Sequence, residues 1–225
     1  MGNRNAKSEY TRNQISMIPR RIQTRYSKVR PFVQKRSNSH HLCDSNAQLF
    51  EPSAFVRSCA ARLVQAAQNT KILDVGCGSG RNAIYLTRLG CTVVCIDRDL
   101  QSFALAKEKW KFQGLQNEIR RLESCKLDLL KEPWPFEPGS VGAIINVAFL
   151  APRLFSNFVR SLRPGGLLLL ETPPGCGNNY YELPAPGAIK SAFDSEFDFE
   201  LYKESRVGPQ KNQVVVKMLA RKHYF

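Results

Sequence analysis

Residues Ile72-Leu73-Asp74-Val75-Gly76-Cys77-Gly78-Ser79-Gly80-Arg81-Asn82 constrain this chain more than any other stretch. A short apolar run, Lys71–Val75, reads as a buried strand. Three glycines follow at alternate positions, Gly76, Gly78 and Gly80. Glycine lets the backbone turn sharply and lets a ligand approach with no Cβ in the way. A helix is expected from about Asn82 to Leu89, with Gly90 as its C′ residue. A strand, a glycine turn and a helix in that order form the first half of a βαβ unit, and such units build parallel sheets. The free N–H groups and positive dipole end of the helix favour a carboxylate.

Two better-known phosphate-binding readings fail at this turn. A dinucleotide fingerprint needs glycine three positions after Gly78, and that position is Arg81. A phosphate-binding P-loop needs Gly-Lys-Ser/Thr, which does not follow. Asp74 at the strand end would repel phosphates but attract the ammonium of an amino acid. Asp97 ends the next strand, at the distance from the turn where an acid commonly holds ribose hydroxyls. Asp128 follows the third strand, where the edge of an adenine would lie. These acids fall at the carboxyl ends of strands, where open α/β sheets bind ligands.

The rest of the chain alternates in the same way. A helix begins at Glu51-Pro52-Ser53, with Phe55, Cys59, Leu63 and Ala66 at helical spacing. Strands are expected at Thr92–Ile96, up to about Leu127, at Val141–Asn146 and at Leu167–Glu171. Helices are expected at Ser102–Phe112 and Pro152–Leu162, the second stopped by Arg163-Pro164-Gly165-Gly166. A helix near Ala188–Phe193 precedes strands near Phe199–Val207 and Val214–Leu219, joined by a turn at Pro209–Asn212. Two strands joined so tightly are antiparallel. The expected fold is therefore α/β: a doubly wound, mostly parallel seven-stranded sheet with an antiparallel C-terminal strand.

Charge divides the chain. Residues 1–43 hold ten basic side chains against one acid, Glu9, a net charge of +9 within a total of +14. They lack a core pattern and read as a basic, flexible extension, leaving residues 44–225 as the folded domain. The longest apolar run, Leu167–Leu170, is far too short to span a bilayer. The seven cysteines include no CxxC pair, so neither a disulfide framework nor a metal site is expected. Reduced thiols, and no apolar segment after Met1, point to an intracellular setting. That setting is cytoplasmic or, since the extension is Arg-rich and acid-poor, mitochondrial.

Residues 71–172 resemble the core of the class I S-adenosylmethionine-dependent methyltransferases. Asp-Val-Gly-Cys-Gly-Ser-Gly (74–80) is similar to the family's first motif, and Leu162-Arg163-Pro164-Gly165-Gly166 to the segment before its fifth strand. Gly78-Ser79-Gly80-Arg81-Asn82-Ala83-Ile84-Tyr85-Leu86 and Met218-Leu219-Ala220-Arg221-Lys222 resemble the tellurite-resistance methyltransferase group. Leu49-Phe50-Glu51-Pro52-Ser53, with Glu171-Thr172, is similar to bacterial methyltransferases found fused to rhodanese-like domains. The resemblance implies S-adenosyl-L-methionine as cofactor. Gly76, Gly78 and Gly80 would line its methionine portion, and Asp74 would contact its amino group directly or through water. Asp97 would take the ribose, Asp128 the adenine, and Asn146 the position beside the methyl donor. Arg81 either pairs with the cofactor carboxylate or stands exposed at the helix start.

The methyl acceptor is not legible. The loop Pro173–Glu182 would overhang the cofactor, and Glu171, Tyr180 and Tyr181 are the candidate catalytic residues, Glu171 being equally readable as structural. Asn146-Val147-Ala148-Phe149 departs from the Asn/Asp-Pro-Pro-aromatic tetrad of nucleic-acid amino methylases, which favours a small or soft acceptor. The alternative is an RNA-associated enzyme or binding module that uses residues 1–43 on phosphates.

Overall fold

A computed structural model describes residues 51–175 and 182–224. The expectations for residues 1–43, Tyr180 and Tyr181 lie outside the described residues. The described residues begin with α1 (Ala54–Ala66), followed by β1 (Lys71–Val75), α2 (Arg81–Arg88), β2 (Thr92–Asp97) and α3 (Gln101–Phe112). A one-turn helix α4 (Gln116–Ile119) leads to β3 (Leu122–Lys126) and β4 (Val141–Val147). A 3₁₀ turn (Pro152–Leu154) precedes α5 (Phe155–Ser161) and β5 (Leu162–Glu171). The chain closes with α6 (Ala188–Phe193), β6 (Phe197–Val207) and β7 (Gln213–Lys222).

The seven strands form one sheet in the order β3-β2-β1-β4-β5-β7-β6. β1 to β5 pair in parallel, and β7 runs antiparallel to both β5 and β6. The order reverses between β1 and β4, the switch point at which a doubly wound sheet opens a crevice. One face carries α1, α2 and α3, whose Val56, Leu63, Ile84, Phe103 and Trp110 pack with the strand side chains Ile72, Cys95 and Ile145. The other carries α5 and α6, with Phe155, Phe158 and Phe193 against Leu73, Ile144 and Leu168. Central strands buried on both faces must be apolar throughout. Asp74 in β1 and Asn146 in β4 break that rule, and both are buried.

Three boundaries differ from expectation. The helix read as Pro152–Leu162 is a 3₁₀ turn and a short α-helix ending at Ser161. Leu162 already pairs with Val141, and the register then shifts before Leu167 pairs with Ala143. Pro164-Gly165-Gly166 is thus absorbed as an irregularity inside β5 instead of forming a stop. The close approach explains why glycine stands there: a Cβ on Gly166 would lie 3.0 Å from the Gly142 carbonyl oxygen. Helix α4 was not foreseen, because four residues are too few to show a period.

Candidate cofactor site

The glycine turn is held to the neighbouring strand by its own backbone. The Ile96 carbonyl accepts from the N–H groups of Gly76 (2.9 Å) and Cys77 (3.0 Å), and Cys77 in turn accepts from Gly80 N–H (2.9 Å). Gly76, Gly78 and Gly80 all have positive φ, at 74°, 56° and 78°. Their surroundings differ, however. A Cβ on Gly80 would lie 2.7 Å from the Phe103 ring, and one on Gly76 2.8 Å from Phe149. Around Gly78 nothing lies within 4 Å. Two glycines therefore permit close packing, and Gly78 alone faces open space.

Asp97 shapes this turn. Its Oδ2 accepts from Gly78 N–H (2.9 Å) and its Oδ1 from Asp99 N–H (3.1 Å). Asp74 lies behind the turn, buried, and accepts from the Ala83 backbone N–H in the first turn of α2. Its Oδ2 has no partner among the described residues. Burial raises its pKa to about 7, and the nearby Asp97 charge adds to the effect, against the Arg81 guanidinium and the Ala83 N–H. Asn146, on the adjacent β4, donates from Nδ2 to the Val75 carbonyl (3.0 Å), while its buried Oδ1 also lacks a partner. Two buried acceptors without donors thus stand at the ends of the two central strands. Such groups are costly unless something supplies a donor.

The remaining expected residues fall around this centre. Asp128 follows β3; its Oδ1 accepts from Leu130 N–H (3.0 Å), which holds its carboxyl below the usual range, with Lys131 3.4 Å away. Arg81 is half-buried and donates to the Glu51 carbonyl (3.1 Å), so it joins the glycine turn to the entry of α1. Glu171 ends β5 with both oxygens engaged: Ser53 Oγ donates to one, and Lys217 Nζ lies 3.0 Å from the other. His223, near Asp198 at the far end of β7, is remote from these residues in the sheet.

Several contacts were not foreseen. Ser53 N–H donates to Asn82 Oδ1 (2.8 Å), and the Ser53 hydroxyl caps α1 through Phe55 N–H (3.1 Å). Ser53 and Glu171 belong to the two strings already singled out together, and here they touch. Phe149 covers Gly76 because Ala148 adopts a left-handed φ of 56°, its N–H donating to the Glu171 carbonyl (2.8 Å). No residue type at position 148 announced that turn.

An S-adenosylmethionine molecule fits this donor and acceptor set. An open cradle at Gly78 suits a ligand that a Cβ would exclude. The partnerless oxygens of Asp74 and Asn146 suit a cationic donor such as an ammonium. The carboxylates of Asp97, at the end of β2, and Asp128, two residues past β3, would suit hydroxyls and the edge of a base.

The comparisons agree with this geometry. Residues 72–166 match the family model described as "Methyltransferase domain". The "Probable S-adenosyl-L-methionine-dependent methyltransferase TehB" of Haemophilus influenzae is 26% identical over 165 residues, which cover 68% of this chain and 57% of that protein. The crystal structure of TehB from the same organism superposes with a TM-score of 0.51 at 21% identity, over 72% of this chain and 62% of that one. The "[4+2]-Cyclase SpnF" gives 0.51 at 16% identity, over 75% and 82% of the two chains. The SpnF likeness shows that the shared fold does not by itself fix a reaction. The chain spans little more than half the length of its TehB relative. Its motif, matched domain and strand order converge: residues 72–166 match a methyltransferase domain, and the chain is similar in sequence and fold to the class I S-adenosylmethionine-dependent methyltransferases, TehB among them.

Proposed function

We propose that this protein transfers a methyl group from S-adenosyl-L-methionine to a small or soft acceptor. The observation that carries this reading is the pair of buried, partnerless acceptors, Asp74 Oδ2 and Asn146 Oδ1, beside the open cradle at Gly78. A bound S-adenosylmethionine supplies the electrophilic methyl and its own leaving group, so the protein need not provide either. Its residues bind and orient. Asp74 and Asn146 receive the ammonium, Gly78 makes room for the methionine portion, Asp97 takes ribose hydroxyls and Asp128 the adenine edge. Arg81 pairs with the cofactor carboxylate, for which it gives up the Glu51 carbonyl. Phe149 walls the cleft on the β4 side and excludes water.

Glu171 acts as a positioning residue in this account and not as a base, because Ser53 and Lys217 engage both its oxygens. Acceptor contacts fall to the loop Pro173–Glu182, with Tyr180 and Tyr181 as the remaining candidates. Residues 44–225 constitute the catalytic domain and residues 1–43 an appended basic segment. The setting is intracellular, in the cytoplasm or the mitochondrion.

The test is incubation with methyl-labelled S-adenosylmethionine and separated small-molecule, RNA and protein fractions. Label is expected in the small-molecule fraction, and Asp97→Ala should reduce it through weaker cofactor binding. Label found only in RNA would replace the acceptor reading. Tight cofactor binding with no transfer to any fraction would oppose the enzyme reading.

A further inference from the structure

The turn after β4 is strained. Ala148 adopts a left-handed φ of 56°, a conformation that residues with a Cβ rarely take. Its N–H donates to the Glu171 carbonyl (2.8 Å), which ties the turn to the end of β5. Strain of this kind persists only where surrounding contacts hold it, and it gathers at ligand sites. Here it delivers Phe149 onto the glycine turn. A Cβ on Gly76 would lie 2.8 Å from both Cβ and Cγ of Phe149 and 3.0 Å from Cδ1. Phe149 is half-buried: it packs against the core on the α5 and α6 face and keeps part of its surface open.

S-adenosylmethionine carries a second cation besides its ammonium, the sulfonium. That sulfur is joined on one side to the amino-acid chain and on the other to the ribose. With the ammonium at Asp74 and Asn146 and the ribose at Asp97, the sulfur falls over the stretch between them, Gly76 to Gly78. Backbone bonds fix that stretch: the Ile96 carbonyl accepts from Gly76 N–H (2.9 Å), and Asp97 accepts from Gly78 N–H (2.9 Å). Phe149 stands against its first residue.

A sulfonium has no N–H or O–H to donate. A negative charge or the face of an aromatic ring can still favour it over a neutral sulfur. The carboxylates nearby are occupied. Asp97 accepts from the N–H groups of Gly78 and Asp99, Glu171 is engaged by Ser53 and Lys217, and Asp74 receives the ammonium. The ring is the group left to meet the charge.

We propose, on the cofactor placement given under the proposed function, that the Phe149 ring contacts the sulfonium as a cation–π partner and biases the site towards the charged cofactor over its neutral product. Methyl transfer breaks the bond from sulfur to the methyl carbon and leaves a neutral thioether. The ring contact then loses its electrostatic part, and the product leaves more readily.

The test is titration calorimetry of the full chain with S-adenosylmethionine and with its demethylated product, at one pH and one salt concentration. Wild type is compared with Phe149→Leu, Phe149→Met and Phe149→Tyr. The leucine and methionine variants keep an apolar side chain without a ring, and methionine adapts to its packing if leucine does not. Both should lower the ratio of cofactor to product affinity about three- to tenfold, chiefly by weakening S-adenosylmethionine. Product affinity should change less than about twofold. Phe149→Tyr keeps the ring and should keep the ratio. Melting curves without ligand verify that the variants are folded. Two results would overturn the sulfonium contact alone: a ratio untouched in the folded ring-less variants, or a ratio lowered equally in Phe149→Tyr. A wild-type protein that binds neither ligand would overturn the cofactor reading itself.

Discussion

The burial of Asp74 carries the most consequence for a single residue. Burial pushes its carboxyl up from the ordinary aspartate range to about 7, so the fold favours the protonated form. The stability it lends is fully present below the unfolded value and is lost as pH rises through about 7. A cationic ammonium, in contrast, requires the charged form. Binding of S-adenosylmethionine should therefore tighten between pH 6 and 8, with release of a proton. Asp74→Asn should remove that pH dependence, weaken the cofactor and stabilise the ligand-free fold above pH 7 by roughly 2–4 kcal/mol. Calorimetry across buffers and melting curves across pH measure both, and a variant that melts lower at pH 8 would contradict the account. The glycines offer a second contrast. Gly80→Ala should destabilise by several kcal/mol, because left-handed strain of about 1–2 kcal/mol adds to a clash with Phe103. Gly78→Ala should show the strain alone, and it should lose cofactor affinity more than stability. Melting temperature against cofactor affinity separates the two.

Among the elements, the entry of α1 is where sequence reading reached least far. The strand-turn-helix of β1 and α2 was legible because each residue there obeys a local rule: apolar run, glycines, helical period. The mostly parallel sheet and its antiparallel end followed from the alternation and the tight turn at Pro209–Asn212, whereas the order of the strands came only with the structure. The contacts of Ser53 with Asn82 and Glu171 were not legible, because they join residues 29 and 118 positions apart and depend on packing alone. Pro164-Gly165-Gly166 misled for a related reason. As local punctuation it signals a stop, yet β4 pairing carries the chain through it as a strand irregularity. The joint at Ser53 also fixes what Glu171 does. Ser53→Ala should lower stability by about 1 kcal/mol through loss of the cap. Glu171→Gln should lower the melting temperature by several degrees as Lys217 loses its partner, and leave kcat within about threefold. A fall in kcat of a hundredfold or more at unchanged stability would restore Glu171 as a catalytic base.

At the level of the whole molecule, charge and fold are divided. Residues 1–43 hold +9 of the total +14, and, among the described residues, those that gather around the glycine turn run from Glu51 to Asn146. Removal of residues 1–43 is expected to leave S-adenosylmethionine affinity within a factor of about three. It should also weaken binding to any polyanion and flatten its salt dependence. A truncated protein that no longer binds the cofactor would show that the segment packs into the domain. The family's core was legible because the acids and glycines recur at the carboxyl ends of successive strands, a pattern one sequence can display. The acceptor was not, because acceptor contacts come from loops whose residues obey no local period. The central claim is that the turn at Gly76–Gly80, with Asp74 and Asp97, holds S-adenosylmethionine and no dinucleotide. Titration calorimetry of the purified protein with S-adenosylmethionine, its demethylated product and NAD tests it most directly. The account predicts one saturable site for the first two ligands and none for NAD; saturable NAD binding without either of the others would contradict it.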